Sequence, residues 1–276
     1  MSNVTGGILS KTSLAIRAKF SYMAAFAGIG AALYYILLWL PGVPVPGLPQ
    51  IKMEIGASLA PLLGIILGPY IGAIAVLVGN IIKSLIPFNP ISLVFVPCAP
   101  LSAFGTALFI AKKWKIPFLI LTGILIASLF MPPFYPVTAF DEKLGMYVWQ
   151  IYLLAFYDKI AALILTPIAM DLIQSNTKLR KGVGLFLVMF IGRELDKALG
   201  CFIAAIPAVY ENIFMIKSLR RIRLAFVAPA IFSPIEYLIE AIIVFVIAIP
   251  VIKALLRVPG ISETLYIKNV REQKIL

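Results

Sequence analysis

The chain has 276 residues, 62% of them hydrophobic and 13% charged, with a formal net charge of +12 and no histidine. Its mean hydropathy of +1.02 excludes an ordinary soluble domain, and apolar runs near twenty residues recur, each long enough to cross a hydrocarbon core of about 30 Å as a helix. Basic residues fall in short loops between those runs, so anionic lipid headgroups and the positive-inside rule account for the charge, and no nucleic-acid partner is expected.

In chain order, residues 1–19 are polar, carry Lys11, Arg17 and Lys19, and read as a cytoplasmic lead-in. The run 20–40 is too long for a signal-peptide core and lacks a cleavage site, so it is a first membrane helix of a domain spanning 20–256. Ala24, Gly28 and Ala32 stack at four-residue spacing along it, with Ala27 and Ala31 one strip over; such a face packs inside a bundle or on a partner. Residues 41–50, PGVPVPGLPQ, repeatedly lack donors and read as a stiff extended loop on the outer side. Next come two apolar runs around a Gly68-Pro69 hinge, with small residues Gly68, Gly72, Ala75 and Gly79 placed for close backbone approach. Polar groups stand only at the far ends, Lys52 and Glu54 before and Asn80 and Lys83 after. If the hinge faces one side, these four gather at the other as the mouth of a cavity.

A fourth helix, 91–111, is interrupted by Pro97 and Pro100, and Lys112, Lys113 and Lys115 mark a cytoplasmic loop. A fifth, 116–130, leads to an outer connection at 132–146, and a sixth, 147–172, carries Tyr157, Asp158 and Lys159 at a depth where charge must pair or face water. Lys178, Arg180 and Lys181 then lie inside. The seventh run, 182–210, holds Arg193, Glu194, Asp196 and Lys197. Arg193 with Asp196, and Glu194 with Lys197, are spaced to neutralise each other. Alternatively Arg193 holds a carboxylate or phosphate of a solute, or the run breaks at Gly192. The basic stretch 217–223 falls outside on a count of eight spans, against the positive-inside rule: either the count is off, or the stretch attracts an anionic solute. The last run, 224–255, places Glu236 and Glu240 one turn apart, to partner the seventh run or to meet ligand. A basic tail, 257–276, reads as cytoplasmic, like the N-terminus.

Cys98 and Cys201 are far apart in sequence, which leaves no CxxC pair, and without histidine there is no histidine-based zinc site and no Cys-His nucleophile. No G-x-x-x-x-G-K-[ST] loop, H-E-x-x-H motif or aspartate-rich diphosphate motif is present. Transport or binding is therefore expected rather than catalysis, with no cofactor and no metal.

The order of a first helix, a Pro-rich loop at 41–49, a lysine and an acidic residue, an apolar helix ending in Gly-Pro and a Gly-rich helix at 51–83 resembles the substrate-binding S component of an energy-coupling factor (ECF) transporter; 234–255 matches more loosely. The resemblance implies an all-α polytopic membrane bundle of about six to eight transmembrane helices in the cell membrane. It also implies capture of a vitamin or related small solute, with ATP hydrolysis supplied by separate ATPase subunits through a membrane coupling subunit. The face of Ala24, Ala27, Gly28, Ala31 and Ala32 would dock on that coupling subunit. Substrate-binding candidates are Lys52, Glu54, Asn80, Lys83, Tyr157, Asp158, Arg193, Glu194, Glu236 and Glu240. S components usually have six helices in a shorter chain, and the apolar material at 116–172 departs from that. Two rivals stand beside this reading: a stand-alone secondary transporter using intramembrane carboxylates, and a membrane enzyme acting on a lipid-linked substrate.

Overall fold

The structure, a computed structural model, describes residues 4–45, 48–230, 232–258 and 265–272. It is mostly helical. Helix α1 (Val4–Leu37) has no break at residue 19; the side chains before Ser21 lie outside the description. The Pro-rich stretch is a hairpin rather than a plain extended loop, pairing β1 (Gly42–Val45) antiparallel with β2 (Leu48–Glu54). The expected helix at Ile51 therefore starts late: Lys52 and Glu54 lie on the strand, and a 3₁₀ turn, Ile55–Leu59, leads into a short α2 (Ala60–Leu67). Gly68, at φ +91°, makes the reversal that a side chain would strain, and Pro69 opens α3 (Pro69–Leu85).

Next come α4 (Pro90–Val94), α5 (Cys98–Ile110) and α6 (Lys115–Ser128). The break between α4 and α5 falls just before Pro97, whose ring cannot continue the hydrogen-bond ladder. A small ladder of β3 (Phe140–Asp141) and β4 (Met146–Tyr147) precedes α7 (Val148–Gln174), which turns back into α8 (Lys178–Ala204). Helix α8 runs straight through Gly192, so the seventh run does not break there. A Cβ at Gly192 would sit 2.0 Å from Thr106 Oγ1; glycine is needed because α5 lies against it. The seventh run stops at Ala204 and its end is a separate α9 (Pro207–Asn212); the last apolar run is divided between α10 (Leu219–Val227) and α11 (Ser233–Arg257), with Pro229 in the gap, and α12 (Lys268–Glu272) follows.

Followed from turn to turn, α1, α3, α6 and α8 run one way, and α2, α5, α7 and α11 return. Two contacts agree with this. Arg223 on α10 donates to Asp141 at 2.9 Å and to the Pro133 carbonyl at 3.0 Å, so the 217–223 stretch shares an end with the α6–α7 connection. At the other end Tyr266, in the basic tail, packs against Gly68.

Among the described residues three helical stretches are long and apolar enough to cross a membrane: Pro90–Ile110, Val148–Gln174 and Ser233–Arg257. The outer surface suits lipid. Leu238, Ile239, Ile242, Ile243, Val246 and Ile247 form an exposed aliphatic stripe on α11, while Arg193, Glu194 and Glu240 are buried. Apolar outside and charged inside is the distribution of a membrane protein.

Candidate functional site

A cavity of about 480 Å³ lies at the hairpin end of the bundle. Its mouth carries Lys52 and Glu54 from β2, Asn80 and Lys83 from α3, and Asn89. Lys52, Pro87 and Asn89 are exposed there, so the hollow reaches the surface. Asn80 Nδ2 donates to the Val96 carbonyl at 3.2 Å, tying α3 to the α4–α5 break, and the Lys83 ammonium lies 3.6 Å from the Trp39 ring centre. Burial pushes the Glu54 carboxyl above its ordinary range, against an opposing pull from Lys83.

Helix α8 supplies the deeper wall. Arg193, Asp196, Lys197, Gly200, Cys201 and Ala204 recur at three- and four-residue intervals on its cavity face. Helix α7 adds Asp158 and Lys159, and α11 adds Ser233 and Tyr237. Arg193 donates to Asp196, to the Ala57 carbonyl at 3.2 Å and to Glu240 at 2.9 Å. Lys197 donates to the same Glu240 oxygen at 3.1 Å and lies over the Tyr237 ring. Lys159 bonds its neighbour Asp158 at 2.8 Å. Tyr157 donates its hydroxyl to the Ala230 carbonyl at 2.6 Å, fixing the chain just before α11. Phe95, Val96, Ala99, Leu154 and Phe226 are the apolar lining.

Seven of the ten sequence candidates meet in this one cavity: Lys52, Glu54, Asn80, Lys83, Tyr157, Asp158 and Arg193. The other three stand off it. Glu240 is the counter-ion behind the wall, Glu194 is buried with neither oxygen hydrogen-bonded among the described residues, and Glu236 is half-buried beyond the lining. Of the two helical pairs expected in the seventh run, Arg193 with Asp196 forms. Lys197 turns to Glu240 rather than Glu194, because α11 packs on the face of α8 where Lys197 emerges.

Sequence reasoning passed over Lys159, Asp196, Lys197, Tyr237 and both cysteines as lining residues. The α8 members had a legible signal, the period that sets 193, 196, 197, 200 and 201 on one face; Cys98 and Tyr237 had none. On α1, Ala24, Gly28 and Ala32 are exposed, Ala27 is half-buried, and Ala31 turns inward against α3, where its carbonyl would lie 3.0 Å from a Cβ at Gly79. No family model, curated protein or solved structure matches the chain.

Proposed function

We propose that this chain is the solute-capturing membrane subunit of an importer, of the ECF S-component type, with the energy for movement coming from separate ATPase subunits. The observation that carries this is the 480 Å³ hollow, within the range of small-molecule pockets, open at one end and lined by polar groups from six separate segments. All eight alternating helices are then membrane passes, some short ones completed by their flanking turns. Exposed Lys112, Lys113, Lys178 and Arg180 lie at the end opposite the cavity, which the positive-inside rule places in the cytoplasm. The mouth then faces outward. The exposed face of Ala24, Gly28 and Ala32 on α1 is the docking strip for a coupling subunit, with Ala27 at its margin; Ala31, turned inward, is part of the bundle.

Affinity purification of the chain from its own membranes tests this. The expected result is co-elution with a coupling subunit and a subunit bearing G-x-x-x-x-G-K-[ST]; uptake by the lone chain in liposomes would contradict it. A stand-alone transporter is the second reading, and Glu194 favours it: a fully buried carboxylate without a hydrogen bond among the described residues is a place for an intramembrane proton.

A further inference from the structure

We infer that the cavity takes a small organic carboxylate with an apolar body, its oxyanion seated on the Lys197 ammonium beside Arg193; this deepens the capture reading and rests on it for the identity of the site. Five cationic side chains line the hollow, Lys52, Lys83, Lys159, Arg193 and Lys197, against three carboxylates, Glu54, Asp158 and Asp196. Two of those carboxylates are already held. Asp158 accepts from the Lys159 backbone N–H at 3.0 Å and from its ammonium at 2.8 Å, and Asp196 accepts from Arg193.

Donors are left over. Arg193 is 3% exposed and its Nε has no hydrogen-bond partner among the described residues. Lys197 donates to Glu240, which leaves further N–H groups on an ammonium that has three. The carboxylate oxygens without partners, both of Glu194 and Oε1 of Glu240, belong to residues outside the lining. The Lys197 ammonium thus brings spare donors to the lining, while the Arg193 Nε and the spare acceptors are sealed behind the wall. An oxyanion completes the Lys197 set; an ammonium entering the same place would meet Arg193 and Lys197. Phe95, Leu154 and Phe226 supply apolar wall for the rest of the molecule. A bare inorganic ion would leave that wall uncovered.

The test is equilibrium dialysis of the purified chain in detergent against indole-3-acetate, indole-3-acetamide and tryptamine, one ring system in three charge states. Indole-3-acetate is expected to bind at least about tenfold more tightly than the other two, a difference that shrinks with added salt. Lys197→Gln should narrow that preference. Gly200→Leu should abolish binding, because a Cβ there meets nothing closer than 4.0 Å and its side chain is free to fill the hollow. Tryptamine binding as tightly as the acid, no binding of the acid, or acid binding undiminished in Gly200→Leu would each overturn the inference. Displacement of the acid by phosphatidylglycerol micelles but not by inorganic phosphate would assign the site to a lipid headgroup and overturn it too. Dialysis involves no ATPase subunit, so its failure leaves the importer reading standing, and absence of a co-eluting ATPase leaves the dialysis result standing.

Discussion

Glu240 holds two cations, Arg193 and Lys197, on one carboxylate oxygen, while Glu194 is equally buried and its side chain has no hydrogen bond among the described residues. Removing a shared counter-ion strands buried charge, so Glu240→Ala should cost about 3 kcal/mol or more, read as a lower Tm in detergent. Glu194→Gln removes a charge whose oxygens accept nothing, and should leave Tm unchanged or raised. Equal losses in both variants would contradict this division of roles. At the mouth, Glu54 has a carboxyl raised by burial. The folded chain therefore holds that proton more tightly than the unfolded chain does. The contribution to stability is present below the ordinary carboxylate value and is lost as pH rises through the raised one. Protonated Glu54 also leaves Lys52 and Lys83 without an opposing charge at the mouth. Indole-3-acetate should bind more tightly as pH falls through the raised Glu54 value, and Glu54→Gln should flatten that dependence.

Helix α8 reaches its place because Gly192 lets it approach α5. Gly192→Ala drives a methyl into Thr106 Oγ1 and should lower Tm; Thr106→Ala in the same chain should restore part of the loss. Absence of any rescue would mean that the two helices are held apart by something else. Helix α10 is fastened by Arg223 to Asp141. Burial opposes the charge on Asp141, but the hydrogen bonds from Arg223, Leu144 and Lys143 outweigh it and hold the carboxyl below its ordinary value. This contribution is present above the ordinary value and disappears as pH falls through the lowered one. Arg223→Gln should speed hydrogen exchange over Leu219–Val227 at neutral pH; unchanged exchange would place the anchor elsewhere.

Much of this was legible from the chain. The Gly68-Pro69 reversal, the runs that became α3, α6 and α7, and the gathering of Lys52, Glu54, Asn80 and Lys83 followed from punctuation and from where polar residues interrupt apolar ones. The β1–β2 hairpin was not, because four prolines argue against a ladder and only the partner strand reveals that the remaining donors are paired. Glu240 as a partner of the basic residues of the seventh run was legible; that Lys197 takes it in place of Glu194 was not, since spacing within a helix favours Glu194.

At the scale of the whole molecule, charge is concentrated inside and aliphatic surface outside, and the interior charges are only partly satisfied by one another. A fully paired interior would have left a closed bundle. Instead the ion pairs of α8 border a hollow that reaches the surface beside the β1–β2 hairpin. The 217–223 stretch shares that end. Its exposed Lys217, Arg220 and Arg221 give the mouth side positive charge suited to drawing anions from solution.

Native mass spectrometry of the chain purified from its own membranes tests capture most directly, read together with Gly200→Leu. The account predicts one small molecule retained per chain, and the same chain empty but equally stable when leucine fills the hollow. A wild-type chain carrying nothing but phospholipid, or a Gly200→Leu chain that keeps the same small molecule, would contradict it.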